Sequence, residues 1–179
     1  MAPLIFRLTH EITLTGVKEC YLRDIASAIS GLPVLDAIAL LRDVFVPFVR
    51  ATAVSRHTTT LVAVSYASRD SLFLDNTDVL RLQEKAYCEV ASAISDPSRV
   101  TSDHMILGVA QLALYEARVG NGSQYRVHKQ ALKDLLPRRD GFSMFGLQDV
   151  LFRIVHWIDH TASTLIENEN KLKGSTLAQ

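Results

Sequence analysis

From Leu147 to Leu165 the apolar residues Leu147, Leu151, Ile154, Ile158, Ala162 and Leu165 recur at intervals of 4, 3, 4, 4 and 3. At about 100° per residue that spacing gathers all six on one face of an α-helix, and it predicts a packed amphipathic helix from about Leu147 to about Glu167. A stripe of this length must be buried against other elements, so the rest of the chain has to supply matching faces. It does so in the same period. Ser123 is placed to cap a helix in which Tyr125, His128, Leu132, Leu135 and Leu136 share a face, opposite Arg126, Lys129 and Lys133, with Pro137 closing it. Thr101 or Ser102 is placed to cap a helix with apolar residues nearly all round, from Met105 to Val119, that ends at Gly120-Asn121-Gly122. Such a helix belongs in the centre.

Upstream, a helix starting at Asp78 carries Val79, Leu80, Leu82, Ala86, Tyr87, Val90, Ala91 and Ile94 and stops at Asp96-Pro97. Residues 34–49 read as helical with a kink or break at Pro47. The run HTTTLVAVSYA, His57 to Ala67, has strand propensity, but a lone buried strand would find no partner in this chain, so consistency with its neighbours favours a helix. The fold class expected is all-α, a single-domain bundle of about six to eight helices. Residues 1–32 are expected to form an N-terminal helical segment, 33–167 the main helical domain, and 168–179, polar and small, a frayed tail. A length of 179 residues suits one domain with a sizeable core.

Composition narrows function by exclusion. Lys plus Arg and Asp plus Glu are each 19, so no net positive field gathers phosphates. The basic run Lys129, Lys133, Arg138, Arg139 is offset by Asp134 and Asp140 and reads as a solvated helix end rather than a polyanion contact. Direct nucleic-acid binding by this chain is not expected. The two cysteines, Cys20 and Cys88, fit no zinc spacing. One disulfide between them is compatible with the sequence, but a core of this size needs no staple. MAPLIFRL is too short an apolar run to be the core of an export signal, and nothing approaches the roughly 20 apolar residues of a membrane span. The expectation is a reducing compartment with both thiols free, and no membrane partner.

His156 and His160 stand at i and i+4, a spacing able to share a metal ion. Trp157 occupies the position where the metalloprotease motif has Glu, and both histidines project with Asp149 and Arg153 away from the apolar stripe. A polar helix face is the reading favoured over a metal site. His128 falls inside an apolar face, where burial disfavours its charge and demands a hydrogen-bond partner. It reads as a core histidine, with a general base or a small-molecule pocket around it as the alternative. No GxSxG elbow, activated cysteine, phosphate loop or paired carboxylate is present. No catalytic, cofactor or metal residue is assigned, and no cofactor is expected.

The segment GVAQLALYEARVGNGSQYRVHKQALKDLL is similar to a stretch of the fungal-specific transcription factor domain, the helical domain that follows a zinc binuclear cluster in many fungal regulators. The resemblance lies in an apolar helix ending in Tyr115-Glu116, a glycine turn at Gly120 to Gly122, Tyr125 one helical turn before His128, and a helix ending in leucines. PRRDGFSMFG resembles the family's Arg-Gly-Gly turn, here Arg139-Asp140-Gly141 with the first glycine replaced, and VLFRIVHWID its last helix, with Trp157 and Asp159. Residues 102–165 carry this likeness closely and 60–95 more loosely. The resemblance implies a non-enzymatic regulatory domain, nuclear in full-length relatives and otherwise cytoplasmic, that works through protein partners or through a DNA-binding module. A small-molecule effector is compatible with it. That module holds two zinc ions with six cysteines and has no room here, so the chain reads as a fragment, a truncated product or a stand-alone relative. The alternative is a helical scaffold or small-molecule-binding protein unrelated to transcription.

Overall fold

A computed structural model of the chain describes residues 17–28, 34–67, 76–139 and 148–176. Among the described residues all regular structure is helical and there is no strand. In chain order the helices are α1 (Val17–Ala28), α2 (Val34–Leu40), a π-helical segment (Leu41–Phe45), α3 (Val46–Ala51), α4 (Ala53–Ala67), α5 (Asn76–Ile94), α6 (Asp103–Arg118), α7 (Gly122–Leu135), a 3-10 turn (Pro137–Arg139) and α8 (Gln148–Thr176). The all-α expectation holds.

Helix α6 is the axis of the bundle. Every residue from Met105 through Ala117 is buried, and α4, α7 and α8 pack around it. Ser102 starts it, its Oγ accepting from the Met105 N–H at 3.3 Å. At the other end Val119 N–H donates to the Tyr115 carbonyl at 3.0 Å and Asn121 N–H to the Glu116 carbonyl at 2.9 Å. The first is the last ordinary helical bond, and the second, spanning five residues, closes only if Gly120 takes a left-handed conformation, as its φ of 78° does. The chain therefore reverses within three residues, and α7 lies back along α6.

Asn121, not Ser123, caps α7: its side-chain oxygen accepts from Gln124 N–H at 3.4 Å, while Ser123 Oγ donates to that same oxygen at 2.9 Å. The reversal at Gly120 makes Asn121 the first residue free to cap, so the helix begins earlier than the serine signal implied. Pro47 lies in the first turn of α3, directly after the π segment. A missing N–H costs nothing at a helix start, and the wider π turn relieves the clash of the ring with the preceding turn. The helix is thus irregular just before Pro47 but does not break there: it runs on to Ala51 and gives way at Thr52, which turns extended.

Helix α4 is the segment with strand propensity, and it is almost wholly buried. Two of its threonine hydroxyls are satisfied within the helix: Thr58 Oγ1 donates to the Val54 carbonyl at 2.8 Å and Thr60 Oγ1 to the Arg56 carbonyl at 2.7 Å, whereas Thr59 Oγ1 is buried without a partner among the described residues. Hydroxyls that bond back to their own helix carry no polar debt into the interior, so packing overrides propensity. In α8, Leu151, Ile154, Ile158 and Ala162 are buried as the stripe requires, and Ile166 rather than the half-buried Leu165 extends it. The helix does not end near Glu167 but continues through Thr176, which corrects the frayed tail expected from residue 168. Lys173 pairs with Glu169 one turn back at 2.5 Å, which favours helix beyond the packed part. Leu147 lies outside the described residues.

Candidate functional site

The family-motif positions fall into separate polar clusters, and the most buried forms on Glu116. Glu116, near the end of α6, is fully buried. Tyr87 reaches across from α5 and donates its phenolic hydrogen to Glu116 Oε1 at 2.5 Å. Tyr87 Oη is also 3.1 Å from His128 Nε2 on α7. A phenol has one hydrogen, and Glu116 takes it, so His128 Nε2 must donate to Tyr87 and the ring is assigned the Nε2–H tautomer. The result is a chain from His128 through Tyr87 to Glu116 that ties α7, α5 and α6 together.

Burial pushes the Tyr87 phenol well above its ordinary range, and the bonded Glu116 adds to that, so Tyr87 stays protonated. Burial likewise lowers His128, keeping it neutral at pH 7. Tyr115 is raised by burial and then by Glu116. The second carboxylate oxygen, Glu116 Oε2, is buried without a hydrogen-bond partner. His128 is thus the core histidine with a satisfied nitrogen that its position on the apolar face implies.

Tyr125 and Asp159 meet in a second cluster, between α7 and α8. Ser163 Oγ donates to the Asp159 carbonyl at 2.7 Å and accepts from Lys129 Nζ at 2.6 Å. Its own hydrogen being used, the 3.0 Å contact with Tyr125 Oη must be donated by the tyrosine. Lys129 Nζ also sits 3.3 Å from Asp159 Oδ1. Partial burial would lower Lys129, but its bonds with Tyr125 and Asp159 outweigh that and raise it. A serine beside a lysine suggests a nucleophile and its base. Here the lysine is charged and the serine proton is committed to a carbonyl, so neither group is free for that chemistry.

Trp157 belongs to a third group. Its ring lies 6.0 Å from that of Tyr21 on α1, which in turn lies 5.5 Å from Tyr66 on α4. Gln111 of α6 donates to Tyr21 Oη at 2.5 Å, and the Arg118 guanidinium stacks 3.4 Å over Tyr66 while bonding Ser65 Oγ at 3.0 Å. Four helices meet around these rings. The backbone of Arg139 forms the 3-10 turn, and Gly141 lies outside the described residues.

His156 and His160 are exposed on α8, and no group of three metal-ligating side chains exists among the described residues. Cys88 is a free, exposed thiol. No described helix is long and apolar enough to cross a membrane. Sequence reasoning missed Tyr87, Gln111 and Ser163 as site residues. Tyr87 carried a faint signal, an amphipathic residue at the margin of an apolar face, but nothing local joins it to residues 29 and 41 positions away.

A family model described as fungal specific transcription factor domain matches residues 19–178. No curated protein and no solved structure gives a match.

Proposed function

The chain belongs to the fungal specific transcription factor domain family, and from that premise we propose that it is a non-enzymatic regulatory domain that influences transcription through protein contacts. The observation that carries the reading is the inward use of the motif positions. Glu116, Tyr125 and His128 are buried and committed to holding helices together rather than presented to a substrate. A balance of 19 basic and 19 acidic residues supports the further reading that the domain does not grip duplex DNA by itself. Its place of action, by family, is the nucleus.

Fusion of this chain to an unrelated DNA-binding module provides the test. Reporter transcription from that module's site is expected to change relative to the module alone, while the unfused chain leaves duplex DNA unshifted at physiological salt. Reporter output identical to the bare module would overturn the regulatory role. Tight sequence-specific binding by the unfused chain would overturn the DNA part.

A further inference from the structure

The seam beneath α5 combines small apolar residues with unpaired buried polar atoms. Its apolar stripe is Leu82, Ala86, Val90 and Ala93, so half of the buried positions offer only a methyl group. Four buried side-chain atoms lack a hydrogen-bond partner among the described residues, and two of them flank this helix. Glu116 Oε2 lies on the edge where Tyr87 reaches α6 and α7. His57 Nδ1 of α4 lies on the other, 4.0 Å from Glu89 of α5. A buried polar atom without a partner costs about 1–3 kcal/mol and recovers that cost when water reaches it. The outer face of α5 is exposed, including Leu80 and Cys88.

We propose that α5 is a releasable helix, latched by the Tyr87 bridge to Glu116 and His128, whose detachment hydrates Glu116 and His57 and opens the flank formed by α4, α6 and α7. The function of that release rests on the regulatory reading above; the release itself does not.

The groups around the two histidines set a direction with pH. His57 faces Glu89 and Lys85 from α5 and has Arg56 beside it on α4. Burial, then Lys85 and Arg56, hold it down to about 4. The ring is therefore neutral at pH 7 and the Glu89 contact is not an ion pair. His128 faces Tyr87 from α5 and Glu116 from α6, and burial lowers it as well. Release returns each ring to water and to its ordinary value near 6.5. The docked state thus binds fewer protons, and its advantage is full above about pH 6.5 and shrinks as pH falls from there toward 4.

Hydrogen exchange of the whole chain, read by peptide and corrected for intrinsic rates at pH 7.5 and 5.5, tests this. The opening equilibrium of α5 amides is expected to rise about tenfold at the lower pH from His57 alone, with Met105–Ala117 of α6 keeping their protection. Tyr87→Phe raises α5 opening about tenfold or more at both pH values, and His57→Gln shrinks the pH step to the part carried by His128. Exchange of α5 and α6 as one unit at both pH values in the unmodified chain would overturn the proposal, and needs no variant to fold. If Tyr87→Phe frees α5 but leaves the DNA-tethered reporter unchanged, the regulatory meaning fails while the releasable helix stands.

Discussion

Helices α4 and α5 pack against each other, yet they handle buried hydroxyls in opposite ways. In α4, Thr58 and Thr60 return their hydrogens to carbonyls of their own helix, so α4 presents α6 with methyl groups and can come very close. A Cβ added at Gly108 of α6 would sit 2.6 Å from Val54 Cγ1. In α5, Tyr87 spends its hydroxyl on two other helices, and that seam is bridged by a long side chain over small residues. The middle of the first contact is fixed by shape, with polar bonds only at its ends, Ser55 Oγ to His104 and Arg118 to Ser65 Oγ, while the second rests on polar partners. The difference teaches that burial alone does not say what holds an element in place.

The contrast breaks first at Gly108. Val54 is itself β-branched and buried, so Gly108→Val leaves neither helix a rotamer escape and drives α4 and α6 apart. A loss of about 3 kcal/mol is expected in denaturant unfolding. Gly108→Ala should cost less, because alanine regains about 1 kcal/mol of helix propensity against the same clash. A fully stable Gly108→Val would mean that shape does not fix the α4 seam. Next is Tyr87→Phe, which keeps the ring and strips both Glu116 Oε1 and His128 Nε2 of their partner. Two buried polar groups left unpaired are expected to lower stability by about 2 kcal/mol, with the loss concentrated in α5 exchange. A near-neutral Tyr87→Phe would sink the polar account of the α5 seam.

Much of this was legible beforehand, and the division follows the range of the interactions. The helix at Met105–Val119, the stripe of α8 and the burial of His128 are properties of short windows, in which spacing and caps suffice. The capping of α7 by Asn121 was not legible, because it depends on how tightly Gly120 turns the chain. Helix α8 outruns its apolar stripe because the Glu169–Lys173 pair, one turn apart, favours helix without burial. That Tyr87 completes His128 and Glu116 depends on how three helices are laid together, which no single window encodes. The strand-like text of α4 was resolved by consistency with its neighbours, and its self-bonding threonines now supply the physical reason.

Two smaller substitutions sharpen the comparison at its polar end. Lys129 joins α7 to α8 through Ser163 and Asp159, but the lysine and aspartate side chains are 27% and 39% exposed, so water already competes for them. Lys129→Met is expected to cost under about 1 kcal/mol, shrinking with added salt. A larger, salt-independent loss would make this seam resemble that of α5. Thr58→Val is the matched control for Tyr87→Phe, since each removes one hydroxyl and keeps the shape of the rest. The Val54 carbonyl that accepts from Thr58 is also placed to take the backbone N–H of α4 one turn later, so no group is orphaned when the hydroxyl goes. The added methyl lies near Gly108, where Thr58 Oγ1 and Cγ2 stand 3.7 and 3.8 Å from a Cβ position that the glycine leaves open. Thr58→Val should therefore shift stability by no more than about 0.5 kcal/mol in either direction. If it instead cost as much as Tyr87→Phe, the Thr58 hydroxyl would have a partner beyond its own helix, and the distinction between the middles of the two seams would fail.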